Sequence, residues 1–264
     1  MMRDIDTVPA LSLREICLNF GGVQALDNVN FDVYPHEIVA LVGENAAGKS
    51  TLAKVMAGVY RPNSGTVYSQ GTEVTIGSPA AATRLGIATV FQDLALADNL
   101  DVAANMFLGH ELNRAYVLHC EEMENAARAQ LDEIGARIPS VRNIVATLSA
   151  GQRQSVAIAR ALLAKPRVVV LDEPTSSLSI TQTAEVLDLI VHMRGLGQGI
   201  VLISHNLADV QAVADRIVVM RHGHVVGESP MSCITYEDII AAITGAIRTL
   251  PAPPTTRSNR VVGT

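Results

Sequence analysis

The residues most able to do chemistry in this chain form a glycine-bearing segment that ends in a lysine and two hydroxyls. Residues 43–51 read GENAAGKST and match the pattern G-x-x-x-x-G-K-[ST] through Gly43, Gly48, Lys49 and Ser50. Backbone N–H groups of such a loop wrap phosphates, the lysine reaches the outer phosphates, and the hydroxyl ligates Mg²⁺. An ordinary glycine turn is the alternative, but at glycine's average frequency chance produces this pattern on the order of once in a hundred such chains. The segment therefore predicts a site for a triphosphate.

Two adjacent carboxylates, Asp172 and Glu173, come directly after an apolar run at residues 168–171. Such a run is typical of a strand buried on both faces, and two carboxylates at its end are costly to bury unless they face a cation or a substrate. Asp172 would reach the Mg²⁺ shell, and Glu173 would orient or deprotonate an attacking water. Alone, such a pair could equally cap the next turn. Beside a phosphate loop, it favours ATP hydrolysis.

The hydrophobic pattern predicts the elements that position these residues. Apolar and polar residues alternate over 11–33, as in a half-exposed antiparallel sheet. A continuous apolar strand at 38–42 leads into the glycine loop, and a helix is predicted over 49–59. A mainly helical stretch follows from about 93 to 148. After it the pattern predicts, in chain order, a helix at 152–163, a strand at 168–171, a helix at 181–194, a strand at 200–204 and a hairpin at 217–226. This alternation implies a mostly parallel sheet with ligands at the carboxyl ends of its strands.

Composition narrows the class of protein. The 264-residue chain is 48% hydrophobic and 17% charged, with a formal net charge of −6. The acidic balance disfavours broad nucleic-acid binding, which needs a basic face. We recognise no secretion signal and no apolar run near the roughly 20 residues that cross a bilayer. Three cysteines without a CxxC pair favour free thiols in a reducing compartment. We therefore expect a cytosolic chain that reaches a membrane only through a partner.

Three motifs in a fixed order make the chain resemble the ATP-binding subunits of ABC transporters. Residues 43–51 resemble their Walker A motif, residues 168–173 their Walker B motif, and residues 148–152, LSAGQ, their signature motif. The resemblance runs from residue 11 to about residue 249. It implies an α/β fold: a P-loop NTPase (RecA-like) core with a mostly parallel sheet, an N-terminal antiparallel β subdomain and an inserted helical subdomain.

The resemblance implies a single ABC ATPase domain over residues 1–248. Its core would comprise residues 11–91 and 158–248, and residues 92–157 would form the helical subdomain with the signature motif. The proline-rich composition of residues 249–264, with few apolar anchors, predicts a disordered tail.

The resemblance also assigns roles to single residues. Gln92 resembles the glutamine that senses Mg²⁺ and the membrane partner, although a lone glutamine after a strand is usually a surface residue. His205 resembles the switch histidine that contacts the γ-phosphate, although an isolated histidine is more often structural. Phe20 stands where the family places an aromatic ring against adenine, although an aromatic in an alternating strand is often plain core.

The predicted site residues fall into three groups. The predicted catalytic residues are Glu173, His205 and Gln92, and the predicted Mg²⁺ ligands are Ser50, Gln92 and Asp172. The predicted ATP-binding residues are Phe20, Gly43, Glu44, Asn45, Ala46, Ala47, Gly48, Lys49, Ser50, Thr51, Ser149, Ala150, Gly151 and Gln152.

The signature motif implies a second copy of the chain. In the family, the signature serine and the backbone of its glycines, at a helix N-terminus, contact the γ-phosphate held by the opposite subunit. The resemblance therefore implies a homodimer with two sites across a two-fold interface.

Three positions depart from the family pattern. Ala46 and Ala150 stand where glycine is common, and Ser179 replaces the usual D-loop aspartate. An alanine at a position that needs a positive φ would cost roughly 1–2 kcal/mol. Slower hydrolysis is one expected consequence of these changes.

Within the family, residues 25–29, 43–45 and 102–109 resemble the ATPases of bacterial monosaccharide importers of the ribose, xylose or fructose type, in a single-ATPase form. This resemblance implies ATP and Mg²⁺ as cofactors, with two transmembrane permease subunits and, indirectly, a periplasmic sugar-binding protein as partners, and no nucleic acid. The chain would lie peripherally on the cytoplasmic face of the bacterial inner membrane. The alternatives are a soluble ABC ATPase that acts on DNA or ribosomes, and a weakly active regulatory nucleotide-binding module.

Overall fold

A computed structural model describes residues 8–114, 117–247 and 250. The strands are β1 (Leu11–Phe20), β2 (Val23–Val33), β3 (Ile38–Val42), β4 (Ser64–Ser69), β5 (Thr72–Val74), β6 (Ile87–Val90), β7 (Asn113–Arg114), β8 (Val117–Leu118), β9 (Val168–Asp172), β10 (Gly199–Ile203), β11 (Arg216–Arg221) and β12 (His224–Pro230). The helices are α1 (Lys49–Met56), α2 (Pro79–Arg84), α3 (Val102–Phe107), α4 (Cys120–Glu133), α5 (Ala150–Leu162), α6 (Ile180–Gly195), α7 (Leu207–Val213) and α8 (Tyr236–Thr244).

The central sheet has the strand order β12-β11-β3-β10-β9-β6. Its strands run parallel from β11 to β6, and β12 pairs antiparallel at one edge. Every residue of β3, β9 and β10 is buried, because helices and the second sheet cover both faces. The continuous apolar runs in the sequence predicted these strands. Their carboxyl ends meet at one edge, where the candidate site residues gather.

A second, antiparallel sheet of order β2-β1-β4-β5 packs against the core. Strands β1 and β2 pair from Leu11↔Val33 to Phe20↔Val23, as the period-two pattern predicted. Buried side chains of this sheet, including Leu13, Ile16 and Phe31, share one apolar cluster with α1 and the central strands. The helix α1 that follows the phosphate loop and the antiparallel sheet therefore share one hydrophobic core.

The segment between β6 and β9 contains the helices α3, α4 and α5 of the predicted helical subdomain, together with the short strands β7 and β8. Met106 of α3, Met123 and Leu131 of α4 and Val156 of α5 pack in one buried cluster. Helix α5 is continuous across the predicted subdomain boundary at 157/158, and its residues on both sides of that boundary are buried. The division at that residue stays a prediction.

Two further expectations concern the membrane and the tail. Within residues 8–114, 117–247 and 250, no helix combines the length and apolar character required for a membrane span. The tail predicted to be disordered, residues 249–264, lies outside the described residues except for Leu250, which is buried.

Candidate functional site

The phosphate-loop segment lies between the end of β3 and the start of α1, as the sequence predicted. Gly43 has a φ of 153° and Gly48 a φ of 103°, which L side chains rarely adopt. A Cβ on Gly43 would lie 2.2 Å from the carbonyl oxygen of Met220, and one on Gly48 would lie 2.9 Å from the carbonyl oxygen of Ala25. Both glycines are therefore required by backbone conformation and by lack of space.

A hairpin from the far end of the chain supports this loop. The Gly223 amide, in the turn between β11 and β12, donates to the Ala47 carbonyl at 3.0 Å, and the Gly223 carbonyl accepts from the Asp27 amide at 2.9 Å. The sequence did not predict this support. The pattern of residues 217–226 predicts the hairpin, but no local signal connects Gly223 with Ala47 or Asp27, which lie far earlier in the sequence.

Lys49 is buried inside the loop. Its Nζ donates to the carbonyl oxygens of Gly43 and Glu44, each at 2.8 Å. Burial lowers the pKa of the Lys49 ammonium, and the negative charges of Glu173 and Asp172 oppose this shift. Since carbonyls rather than a carboxylate take its hydrogen bonds, the positive charge of Lys49 is available to an anion such as a phosphate.

Ser50 and Asp172 meet at the carboxyl end of the sheet, as the predicted metal site requires. The Ser50 hydroxyl donates to Oδ1 of Asp172 at 3.4 Å. Asp172 is buried, and desolvation by that burial raises the pKa of its carboxyl. A hydroxyl and a buried carboxylate supply the oxygen ligands that a Mg²⁺ ion prefers. These two residues fit the predicted ion.

Glu173 and His205, predicted from separate strands, lie side by side. Nδ1 of His205 is 2.7 Å from Oε2 of Glu173. The atoms are at ion-pair distance without hydrogen-bond geometry, and Oε2 of Glu173 has no hydrogen-bond partner among the described residues. Glu173 also has a φ of +53°, and its amide donates to the Ile203 carbonyl at 2.9 Å. A carboxylate oxygen with spare acceptor capacity, held in a strained backbone position, suits a general base.

Gln92 is exposed just after the end of β6. It lines a cavity of about 350 Å³ together with Glu173, Ala150, Asp98 and Arg153. Gln92 therefore lines the same cavity as Glu173, the predicted base, and Ala150 at the start of α5.

The signature segment caps helix α5. Ser149 is the N-cap: its hydroxyl accepts from the Gln152 amide at 3.2 Å, and the Gln152 side chain accepts from the Ser149 amide at 3.0 Å. Gly151 is buried, and a Cβ there would lie 3.0 Å from the side chain of Gln182 on α6. Ser149 is exposed, and within the part of the chain that is described no hydrogen bond or ion pair joins this segment to the phosphate loop. A helix N-terminus of this kind can receive an anion from outside the chain.

Ser179, the residue at the D-loop aspartate position, is also an N-cap. Its hydroxyl accepts from the Gln182 amide at 3.4 Å, and the Gln182 side chain accepts from the Ser179 amide at 3.1 Å. The serine thus retains one physical task that an aspartate would perform, because both residue types cap helices well.

Phe20 is 45% exposed, so it is not a core residue. Its ring makes an edge-to-face contact with Tyr60, with centroids 5.0 Å apart, and Nζ of Lys54 lies 5.5 Å from the centre of the Tyr60 ring. An exposed, braced aromatic face can stack on a base. The predicted adenine contact of Phe20 stays a prediction.

Only one of the two departing alanines is conformationally strained. Ala46 has a φ of +64°, whereas Ala150 is the first residue of the right-handed helix α5. The loop position therefore favours glycine and the signature position does not. This difference can be measured.

We expect Ala46→Gly to stabilise the protein slightly and Ala150→Gly to destabilise it. Relief of a left-handed conformation, roughly 1–2 kcal/mol, exceeds the extra chain entropy of glycine, roughly 0.4–1 kcal/mol. Glycine in a helix costs roughly 0.5–1 kcal/mol relative to alanine. Urea unfolding without nucleotide measures both free energies. Equal destabilisation by the two substitutions would contradict the assigned backbone strain.

The fold and the site together define a nucleotide-binding protein of the P-loop class. The chain belongs to the ABC transporter family, whose model matches residues 26–176. This membership and the predicted fold class are confirmed.

Known relatives and solved structures resemble the chain over most of its length. It is 42% identical to a fructose import ATP-binding protein of Rhizobium meliloti over 90% of this chain and 95% of that protein. It is 37% identical to a xylose/arabinose import ATP-binding protein of Sulfolobus acidocaldarius over 89% and 93%, respectively. A ribose import ATP-binding protein of Yersinia pestis is 39% identical over 91% of this chain, which spans 47% of that protein. The crystal structure of the ADP conformation of MJ1267, an ATP-binding cassette of an ABC transporter, superposes with a TM-score of 0.78, at 26% identity over 90% of this chain and 96% of that one.

Proposed function

We propose that this chain is the ATP-hydrolysing subunit of a membrane importer for a simple sugar. The observation that carries the proposal is the convergence of Lys49, Asp172, Glu173 and His205 at the carboxyl ends of adjacent parallel strands. This arrangement contains a phosphate-binding cation, a metal ligand and a candidate base. The relatives that serve the import of fructose, xylose/arabinose and ribose support a sugar as cargo.

In this proposal each residue has one task in hydrolysis. Lys49 and the loop amides bind the β- and γ-phosphates, and Phe20 stacks on adenine. Ser50 and Asp172 would hold Mg²⁺, and the bound ion would supply charge neutralisation on the phosphate oxygens. Glu173 accepts a proton from the attacking water, and His205, whose Nδ1 lies 2.7 Å from Oε2 of Glu173, contacts the γ-phosphate. Gln92, at the edge of the same cavity, reports the state of the site to the helical subdomain.

The working unit in this proposal is a homodimer. Ser149, exposed at the N-terminus of α5, completes the γ-phosphate site of a second copy of the chain. By two-fold symmetry, the signature segment of that second copy completes the γ-phosphate site of the first. ATP closes the dimer because it binds the closed state better than the open state, and hydrolysis removes that difference.

We expect Ser149→Arg to abolish ATP-dependent dimerisation while ATP binding persists. A bulky cation replaces a small hydroxyl at the point where two copies meet, whereas the phosphate loop is untouched. Light scattering with ATP measures dimer formation, and equilibrium binding of a fluorescent ATP analogue measures affinity. Ser140→Arg, at another exposed serine of the helical subdomain, is the matched control. Dimerisation of Ser149→Arg at wild-type ATP concentrations would contradict the composite site.

The proposed partners are two transmembrane permease subunits, with a periplasmic sugar-binding protein acting through them. A groove of about 590 Å³ between the core and the helical subdomain is the proposed seat of a permease. Its apolar lining includes Val59, Phe91, Met106, Phe107, Leu108 and Leu163. Attachment through this groove would place the chain peripherally on the cytoplasmic face of the membrane.

The proposed cargo is tested by reconstitution. The chain is combined in vesicles with candidate permease subunits, and ATP-dependent uptake of labelled ribose, xylose and fructose is measured. Uptake of one sugar, lost with Lys49→Ala, is the expected result. Vigorous ATP hydrolysis that no permease or sugar alters would instead favour a soluble ABC ATPase, and negligible hydrolysis in every setting would favour a regulatory module.

A further inference from the structure

The loop that follows Gln92 is held by side chains from elsewhere in the helical subdomain. Residues 91–101 connect β6 of the core to α3 and contain no regular structure. Buried or half-buried peptide groups in such a loop need hydrogen-bond partners from outside it. The identity of those partners decides which part of the protein the loop moves with.

The far half of the loop is tied to α3 and to the segment before the signature motif. Asn105 of α3 is fully buried. Its Nδ2 donates to the carbonyls of Ala97, Leu100 and Asp101 at 2.9, 3.3 and 3.0 Å, and its Oδ1 accepts from the Ala97 amide at 2.7 Å. Two amides from residues 145–146 add hydrogen bonds to the Asp98 and Leu100 carbonyls at 3.0 and 2.9 Å. Residues 97–101 and the signature segment therefore belong to one hydrogen-bonded unit.

Arg160 holds the near half of the loop. Its Nη1 donates to the Ala95 carbonyl at 2.8 Å, and its Nη2 donates to the Leu94 carbonyl. Ala95 has a φ of +47°, which turns the chain at this point. Apart from the local bond of the Ala95 amide to Asp93, these are the hydrogen bonds that fix residues 92–96 within the described chain.

The guanidinium of Arg160 donates its hydrogen bonds to backbone carbonyls rather than to a carboxylate. Burial lowers the pKa of its guanidinium, and among the described residues no carboxylate forms an ion pair with it. Partial burial of a charge without a counter-charge costs free energy. The planar guanidinium of Arg160 can donate to two successive carbonyls at once, whereas the ammonium of a lysine is one compact donor group.

We propose that Arg160 is a positioning residue for Gln92, joining it to the signature-bearing unit so that the two move as one body. Arg160 lies in the last turn of α5 and Ser149 caps the first turn of the same helix. The tie reaches to within two residues of Gln92. A rotation of α5 towards a second copy of the chain therefore moves Gln92 relative to Glu173. The inference rests on the proposed function, in which Gln92 acts at the hydrolysis site.

A double-mutant cycle on the hydrolysis rate tests this coupling. Arg160→Met removes both hydrogen bonds and keeps the apolar stem, and we expect kcat to fall roughly tenfold with KM for ATP nearly unchanged, because a small misplacement of an active-site group is costly. In a Gln92→Ala background the same substitution should change kcat less than about twofold, since the two residues act in series. Equal losses in both backgrounds, or no loss in the wild-type background, would overturn the proposal.

Hydrogen exchange provides a readout that does not depend on catalysis. In Arg160→Met we expect the Ala95 amide, which donates to Asp93 in this loop, to exchange roughly tenfold faster, while amides of β3 keep their protection. Arg160→Lys, which keeps the charge, should give an intermediate increase. Arg128→Met, which removes an exposed guanidinium from α4, is the matched control. Unchanged exchange in the loop of Arg160→Met would refute the proposed attachment of the loop to α5. If exchange is faster in Arg160→Met but Gln92→Ala hydrolyses ATP at the wild-type rate, only the proposed catalytic role of Gln92 would be removed.

Discussion

Glu173→Gln is expected to bind ATP normally and to hydrolyse it roughly 10²–10⁴-fold more slowly, the range typical for loss of a positioned base. The amide cannot accept the proton of the attacking water, but it retains the shape of the side chain. Glutamine also leaves the backbone strain at position 173 unchanged, because a φ of +53° is as unfavourable for glutamine as for glutamate. Glu173→Gly would relieve that strain and confuse two effects. Phosphate release under single-turnover conditions, with ATP affinity measured separately, gives the comparison.

Two controls sharpen this experiment. Glu185→Gln changes an exposed glutamate on α6 and should hydrolyse ATP at the wild-type rate. His205→Ala removes the neighbour of Glu173 and should also slow hydrolysis, because it leaves the carboxylate without the ring 2.7 Å away. Near-normal turnover by Glu173→Gln would remove Glu173 from the role of base.

The sequence predicted the parts of the site that local rules specify. The spacing of Gly43, Gly48 and Lys49 predicts a phosphate loop because the loop depends on positive φ and on a short reach to a helix. Asp172 was predicted because a buried strand rarely ends in a carboxylate without a ligand. These features need only a few successive residues.

Other features depend on residues that are far apart in sequence. Nothing near Ala47 shows that Gly223 supports it, and nothing near Gln92 shows that Arg160 holds its loop. Strands β4 and β5 were not predicted either, because β4 buries only Val67 and Ser69 and the three residues of β5 are exposed or half-buried. Nothing near Glu173 in the sequence shows its φ of +53° or the hydrogen bond of its amide to Ile203 of β10. Tertiary context, rather than propensity, decides these positions.

The buried Arg216–Glu37 pair is a further feature that pattern alone does not show, since 179 residues separate the partners. Arg216 begins β11 and Glu37 precedes β3. Nε of Arg216 donates to Oε1 of Glu37 at 2.9 Å and Nη2 donates to Oε2 at 3.1 Å, with both side chains 7% exposed. Arg216 also reaches the Asp32 carbonyl of β2 and the exposed Glu228 of β12. The pair thus fastens the antiparallel sheet to the strands that support the phosphate loop.

We expect Glu37→Ala to lower the free energy of unfolding by roughly 3 kcal/mol, because removing one partner leaves a buried guanidinium incompletely paired. The value falls at the low end of the usual range, since Glu228 and the Asp32 carbonyl still contact Arg216. Urea denaturation measures the loss. Glu124→Ala, which breaks a pair with Arg142 whose side chain is 72% exposed, should have a smaller effect, because water solvates the guanidinium left behind. The double substitution of Glu37 to Leu and Arg216 to Met should recover most of the loss, because apolar groups of similar volume need no counter-charge. A loss of the same size in Glu37→Ala and Glu124→Ala would show that burial does not make the Arg216 pair special.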